Sequence, residues 1–199
     1  MTLLEDVFSE TLRGGSTPVL ETERLVLRAP RLEDAKAIAQ LANDRRIAEN
    51  TTRIPHPYKL ADAEDFIEQV NKAGGELALL ITLDEEPIGA CGLAKLDGPA
   101  PDLGYWLGAP YWGNGYATEA ARAVIDHAFT ALGTGAVQAG ARVTNPASRR
   151  VLEKCGFQWT GVGLYRIRAL KSSAPIDRFR LDRGIWASLK SWGSGKRVV

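Results

Sequence analysis

Leu103-Gly104-Tyr105-Trp106-Leu107, followed by Ala109-Pro110-Tyr111-Trp112-Gly113-Asn114-Gly115-Tyr116-Ala117-Thr118-Glu119-Ala120, is the stretch whose reading decides the fold. Its first five residues have the apolar and aromatic make-up of a strand. From Tyr116 to Leu132, Ala117, Ala121, Val124 and Ala128 recur at steps of four, three and four, the spacing of one helical face. Gly113 and Gly115 lie in the loop between. The first turn of a helix leaves backbone N–H groups without intrahelical partners, and these attract anions, phosphates above all. Glycine removes the side chain where a pyrophosphate would approach the backbone. The segment therefore predicts a phosphate-bearing ligand over residues 113–118. Taken alone, a plain strand-to-helix turn that needs glycine only for its geometry is the stronger reading.

The loop lacks the Gly-Lys-Ser/Thr of a Walker A motif. It is also a poor dinucleotide fingerprint, because Thr118 stands where the third glycine belongs and no βαβ crossover surrounds it.

Outward from this segment, strands and helices alternate. Glu23–Arg28 alternates polar and apolar as a half-buried strand does, and Asp34–Asn43 has helical spacing at Ala35, Ile38 and Leu41. Ile54-Pro55-His56-Pro57-Tyr58 reads as an irregular loop, since each proline removes a donor and biases its predecessor to extended backbone. Asp62–Val70 reads as a helix with Phe66, Ile67 and Val70 on one face. Glu76–Leu83 and Ile88–Leu96 read as a hairpin about a turn at 84–87. Gly133 and Gly135 end the long helix. Val137–Val143 is a further strand, Asn145-Pro146 opens a short helix that Gly156 ends, and Phe157–Ile167 and Ile176–Leu181 are the last strands. The fold class is mixed α/β with a largely antiparallel front half. Residues 1–19 read as a leader, broken off by Gly14-Gly15-Ser16-Thr17-Pro18, and residues 188–199 as a flexible tail.

Composition bounds the rest. A length of 199 residues fits one domain, and 45% hydrophobic with 25% charged residues is ordinary for a soluble globular protein. A net charge of +1 gives no electrostatic case for nucleic-acid binding. Two cysteines, Cys91 and Cys155, exclude a disulfide framework. The acidic N-terminus has no secretory h-region, and the longest apolar run, Leu77–Ile81, is far below the ~20 residues of a membrane span. The expected compartment is the cytoplasm, with reduced cysteines and no membrane partner. The two histidines, His56 and His127, show no metal-ligand spacing, so no metal is expected.

The run Gly104–Leu107, the loop Trp112-Gly113-Asn114-Gly115-Tyr116-Ala117-Thr118-Glu119-Ala120 and the segment Asn145-Pro146-Ala147-Ser148-Arg149-Arg150-Val151-Leu152-Glu153-Lys154-Cys155-Gly156-Phe157 resemble the GNAT superfamily of N-acetyltransferases. The resemblance is to its RimJ/RimL-like branch, which Leu20–Arg28 and Ile54–Tyr58 also match, and it covers residues 20–187. It implies the GNAT fold: a central, mostly antiparallel sheet with one splayed parallel strand pair, flanked by helices. It implies acetyl-CoA as co-substrate and a primary amine as acceptor, either a protein N-terminus or a small molecule, with the oligomeric state open between monomer and homodimer.

By the same resemblance Trp112, Gly113, Asn114, Gly115, Tyr116, Ala117 and Thr118 form the pyrophosphate loop. The main chain near Leu107 pairs with pantetheine, and Asn145 contacts the pantetheine arm. Arg149 and Arg150 open the short helix beside that site and can meet the coenzyme's 3′-phosphate, since arginine pairs well with phosphate, with solvated side chains as the alternative. Many relatives place a general-acid tyrosine where this chain has Leu152. The branch pattern Asn-x-x-Ser puts Ser148 by the coenzyme sulfur instead. A helix serine bonded to its own backbone is the structural alternative. Asp102 matches a position where relatives often carry Glu and is the candidate base, against a solvated carboxylate at a strand start. His56, Tyr58 and Tyr105 are the expected acceptor contacts. Glu119 reads as a first-turn residue favoured by the helix dipole, and Arg166 and Arg168 as the wet face of a strand. Two rival readings are a non-catalytic acyl-CoA sensor, suggested by Leu152, and a nucleotide-binding module using the same glycine loop.

Overall fold

A computed structural model of the chain describes residues 17–72, 76–94 and 100–194. Its elements are β1 (Leu20–Glu21), β2 (Val26–Arg28), α1 (Ala35–Ala42), α2 (Arg45–Ala48), α3 (Leu60–Asn71), β3 (Glu76–Leu83), β4 (Glu86–Ala94), β5 (Asp102–Leu107), α4 (Tyr116–Thr130), β6 (Ala136–Arg142), α5 (Pro146–Lys154), β7 (Gln158–Ile167), β8 (Ser172–Asp182) and α6 (Arg183–Ser194). The strands form one sheet in the order β1-β2-β3-β4-β5-β6-β8-β7. Every neighbouring pair is antiparallel except β5 and β6, which α4 joins as a βαβ crossover, so the glycine loop does lie in such a unit, contrary to the sequence reading.

Successive side chains of a strand point to opposite faces, and this sheet is covered on both. Leu79 and Ile81 of β3 enter the main core, which α4 closes with Ala120, Ala121, Val124, Ile125, Ala128 and Phe129. Leu80, between them, faces the second core with Ala35 and Ile38 of α1, Ala63 and Ile67 of α3, and Tyr58. Trp106 of β5 packs on this second core, whereas Leu103, Tyr105 and Leu107 face the first.

Several boundaries differ from the sequence reading. The β4 strand begins at Glu86, because Asp84 and Glu85 take positive φ (49° and 69°) and complete the turn themselves. The far end of that expected strand, residues 95 and 96, lies outside the described residues. The β8 strand starts at Ser172, four residues before its apolar run at Ile176. The α6 helix runs through residue 188, where a tail was expected. Trp186 holds it: its ring stacks on Phe129 at 5.0 Å and its Nε1–H donates to Asp126 Oδ1 at 2.7 Å. The sequence places this tryptophan in no element, since the partner that fixes it is sixty residues away.

Candidate active site

The two parallel strands are paired only at Asp102↔Gln138 and Leu103↔Ala139, although β5 continues to Leu107 and β6 to Arg142. Beyond Leu103 they part. The remaining β5 main chain has β4 on one side only. Gly108 N–H donates to Ile88 O, and Gln138 N–H donates to Pro101 O. By the alternation of an antiparallel ladder, the N–H and C=O of Tyr105 then face the opening towards β6. An extended amide-bearing chain can pair with them as an added strand would. At Leu107 the carbonyl is already taken by Trp112 Nε1–H, at 2.7 Å.

The loop after β5 leaves its backbone open. Gly113 and Gly115 have φ of +81° and +83°, in the left-handed region that favours glycine. A Cβ on Gly113 would meet nothing within 4 Å. Gly115 is the N-cap of α4 and brings no side-chain cap. The N–H groups of Thr118 and Glu119 return to Gly115 O. Those of Gly115, Tyr116 and Ala117 have no acceptor among the described residues, and they form the anion-attracting end of a fifteen-residue helix. Of the amides in the expected cradle, that of Thr118 is already bonded within the helix.

Glu119 does more than complement the dipole. It accepts from Thr22 Oγ1 at 2.7 Å, Arg24 N at 2.9 Å and Arg24 Nε at 2.8 Å. Arg24 in turn donates from Nη1 to Asn114 O and lies over the Tyr116 ring. The β1–β2 connection is therefore clamped to the glycine loop. Burial acts to raise the Glu119 carboxyl, but the bonds from Thr22 and Arg24 hold it below its usual range. Trp112 is fixed from the other side by the Arg46 guanidinium, 4.9 Å from its ring centroid.

Tyr105 and Ser148 meet on the first-core side of the opening. The Tyr105 hydroxyl lies 2.9 Å from Ser148 Oγ and 3.1 Å from Ser148 O. Burial pushes the Tyr105 phenol well above its ordinary value, partly offset by Ser148. Asn145 is a true N-cap: its Oδ1 accepts from Ser148 N–H at 3.1 Å, which leaves its amide NH₂ without a partner among the described residues. Leu152 is fully buried in the core and presents nothing to the opening. Sequence reasoning gave Tyr105 only an acceptor contact. Its pairing with Ser148 spans 43 residues and has no local signal.

On the opposite face of β5, Asp102, Gly104 and Trp106 follow one another. A Cβ on Gly104 would meet nothing within 4 Å, so the strand has an open floor there. Asp102 Oδ2 accepts from Arg178 Nη2 at 2.8 Å, and the same nitrogen reaches Gln138 Oε1 at 3.1 Å. Asp102 is thus an ion-paired carboxylate, not a solvated one.

The other expected residues are spread more widely. Tyr58 is 9% exposed, its hydroxyl donates to Asp62 O, and burial raises its phenol to about 12. It therefore acts as a wall of the second core. His56 is exposed in the loop before it. Arg149 is engaged by Glu153, lies 3.5 Å from Asp177 and sits over the Phe179 ring, whereas Arg150 is exposed with no partner among the described residues. Cys91 and Cys155 are buried free thiols. Burial drives both up, Cys155 to about 11 with Arg122 opposing, so neither is a ready thiolate. Among the described residues no three His, Cys, Asp or Glu side chains are grouped to hold a metal, and no helix is long and apolar enough to cross a membrane.

One parted parallel pair in an otherwise antiparallel sheet opens onto a glycine-loop helix terminus, the arrangement that the GNAT resemblance implies for an acyl-CoA-dependent transferase. The chain belongs to the acetyltransferase (GNAT) domain family, whose model matches residues 24–158. It is 31% identical over 150 residues to the uncharacterized N-acetyltransferase p20 of Bacillus licheniformis, covering 72% of this chain and 84% of that one. It is 33% identical over 152 residues to the uncharacterized N-acetyltransferase YoaA of Bacillus subtilis, covering 73% and 85%. Among solved structures, Mycobacterium smegmatis RimJ in complex with CoA-disulfide superposes with a TM-score of 0.76 at 20% identity, over 89% of this chain and 95% of that one. The chain is an acetyl-CoA-dependent N-acetyltransferase of that family.

Proposed function

We propose that this chain acetylates a primary amine by direct attack in a ternary complex, with Tyr105 and Ser148 serving the sulfur and Asp102 the amine. The observation that carries the proposal is the arrangement about β5: a hydroxyl pair on one face and an open floor beside a carboxylate on the other.

Bound acetyl-CoA supplies a thioester carbon for the amine nitrogen. The free N–H groups of Gly115, Tyr116 and Ala117 hold the pyrophosphate, with Arg150 in reach of the coenzyme's outer phosphate. The Tyr105 main chain and Leu107 N–H hold the pantetheine, and the Asn145 amide is free to join them. The amine enters over Gly104. As the C–N bond forms and the C–S bond breaks, the departing thiolate takes a proton from the Tyr105–Ser148 pair. The ammonium gives one proton up through water to Asp102, two residues from Gly104 on the same face, before it attacks, and the nitrogen's second proton, shed as the tetrahedral intermediate collapses, returns through water to the Tyr105–Ser148 pair. Arg178 and Gln138 keep that carboxylate oriented. Two substrates held side by side supply much of the acceleration, so no strongly basic residue is required. His56 borders the acceptor entrance, and Tyr58 shapes it from within. The acceptor is a protein N-terminus or a small amine, and the compartment is the cytoplasm, which the free thiols favour.

The hydroxyl pair favours this reading over a non-catalytic acyl-CoA sensor, because it fills the role that Leu152 leaves vacant. The test is coenzyme A release with a panel of primary amines for wild type, Ser148→Ala and Asp102→Asn, beside thermal stabilisation by acetyl-CoA. Stabilisation in all three proteins with turnover lost in the variants is the expected result. Unchanged turnover in both variants sinks the residue assignment, and stabilisation with no turnover on any amine favours the sensor.

A further inference from the structure

We propose that Tyr165 and Gly140 are positioning residues for the transfer, acting through Arg178 to aim the Asp102 carboxylate. The inference rests on the reading of Asp102 as the proton acceptor on the amine side, and it extends that reading to β6 and β7. Asp102 lies on β5 and Arg178 on β8, with β6 between them. Arg178 pairs with Gly140 in the β6–β8 ladder, and Asp102 pairs with Gln138 in the β5–β6 ladder. The guanidinium must therefore cross the width of β6 to reach its carboxylate. Gly140 makes the crossing possible. A Cβ there would stand 3.1 Å from Arg178 Nη1 and 2.8 Å from Ile176 Cγ2, closer than ordinary contact. Glycine inside a strand marks such a close approach.

Tyr165, on β7, holds the guanidinium from the far side. Its ring centroid lies 5.2 Å from Arg178 Cζ, a cation–π distance. The ring has a glycine of its own, since a Cβ on Gly163 would fall 2.8 Å from Tyr165 Cε2. Gly163 and Tyr165 are two residues apart and share a face of the sheet. Gly163 pairs with Ile176, which is two residues from Arg178 on that same face. Two missing side chains thus admit two layers, the ring over Gly163 and the guanidinium over Gly140.

The consequence falls on Asp102. Arg178 Nη2 donates to Asp102 Oδ2 at 2.8 Å and to Gln138 Oε1 at 3.1 Å. Those two acceptors are register partners on one of the two rungs before β5 and β6 part. Asp102 Oδ1 has no partner among the described residues, so it is the oxygen left to take a proton from water. Arginine is a long side chain with many rotamers. The ring and the glycine floor confine it to one course. An aromatic face attracts a guanidinium without accepting its N–H groups in competition with a carboxylate, so Nη2 stays available to Asp102. A carboxylate at 165 would draw the same donors away.

Tyr165→Leu, Tyr165→Phe and Gly140→Ala are compared with wild type, each also on the Asp102→Asn background, with the primary amine that turns over best. Tyr165→Leu and Gly140→Ala should lower kcat by about 5- to 20-fold, while Tyr165→Phe, which keeps the ring, stays within about twofold of wild type. The KM for acetyl-CoA should not move. On the Asp102→Asn background none of the three should lower the rate further, because the group they position is gone. An equal loss on both backgrounds is the mark of a merely structural role and overturns the proposal. Turnover lost in Asp102→Asn and kept in Tyr165→Leu overturns the proposal alone. Full turnover in Asp102→Asn overturns the reading of Asp102 and the proposal with it. Nitrogen NMR of the Arg178 guanidinium decides without turnover, whether no tested amine is acetylated or Gly140→Ala, which also crowds Ile176, fails to fold. Rotation about Nε–Cζ should be restricted in wild type and Tyr165→Phe and free in Tyr165→Leu. Rotation equally restricted in Tyr165→Leu overturns the proposal.

Discussion

The hydroxyl of Tyr105, on β5, lies 2.9 Å from Ser148 Oγ, in the first turn of α5, so the first strand of the parted pair is tied to the helix that follows the second. Groups that act as a unit show non-additive losses. Tyr105→Phe and Ser148→Ala should each lower kcat by roughly 10- to 100-fold, in the range of general acid catalysis, and the double variant should be little worse than the poorer single one. The KM for acetyl-CoA should move less than threefold or so, since the pantetheine contacts are main-chain. Steady-state kinetics on the three variants checks this, and fully multiplicative losses would mean that the two hydroxyls act separately. Because burial raises the Tyr105 phenol, it stays protonated beyond the pH where a free tyrosine ionises. The rate should therefore rise as the acceptor amine loses its proton and hold its plateau through about pH 10. A falling limb near pH 9 that disappears in Tyr105→Phe would contradict the burial of that phenol.

The clamp from Glu119 to Thr22 and Arg24 gives a different signature. Glu119→Ala releases the β1–β2 connection from the glycine loop and frees the Arg24 guanidinium from its carboxylate. Nothing in the clamp touches the hydroxyl pair. The expected outcome is a KM for acetyl-CoA raised by about 3- to 10-fold with kcat nearly unchanged, as for the loss of uniform binding. The thermal shift produced by saturating acetyl-CoA should shrink in parallel. An equal fall in kcat would place Glu119 in the chemistry instead.

The contrast between these two pairs shows how far the sequence carries. The strand–loop–helix at 103–130, the N-cap at Asn145 and the helix end at Gly156 were legible because each is set by spacing or by a local backbone need. Ser148 was legible through the family pattern. Partners were not. Glu119 looks like a dipole residue until Thr22 and Arg24 arrive from nearly a hundred residues away. Asp102 looks solvated until β8 brings Arg178 beside it. Periodicity reports which face a residue takes, and long-range pairing is settled only by which strands become neighbours.

The glycine loop separates conformational need from ligand space. At Gly115 an added Cβ would lie 3.5 Å from Arg24 Nη2, and at Gly113 it would enter open space, while both residues have positive φ. Gly113→Ala should therefore cost about 1 kcal/mol of backbone strain and no clash. Its methyl group would still occupy volume that a pyrophosphate must enter. The expected pair of results is a melting temperature lowered by only a few degrees and acetyl-CoA stabilisation reduced by more than half. A variant that melts slightly lower yet binds acetyl-CoA normally would show that the loop is only a turn.

Asp34 provides a test of the fold that leaves the chemistry alone. It lies at the entrance to α1 and accepts from Arg28 Nη1 and Nη2, both at 2.8 Å, and from Arg31 N at 2.7 Å. The pair is largely buried, with side-chain exposures of 18% for Arg28 and 6% for Asp34. Removing one partner strands the other, so Asp34→Ala should cost about 3 kcal/mol, a fall of roughly 6–12 °C in Tm for a domain of this size. Burial alone would raise the Asp34 carboxyl, but the bonds from Arg28 and Arg31 hold it below its ordinary value. A carboxyl whose folded pKa is depressed stabilises the fold fully above its unfolded pKa, near ~3.9, and loses that contribution as pH falls through the lower, folded value. The stability gap between wild type and Asp34→Asn should thus be constant from about pH 5 to 7 and close below about pH 4. Urea unfolding at pH 7, 5 and 3.5 measures it. A gap that persists unchanged at the lowest pH would mean that the stabilisation comes from packing at the helix entrance and not from the ion pair.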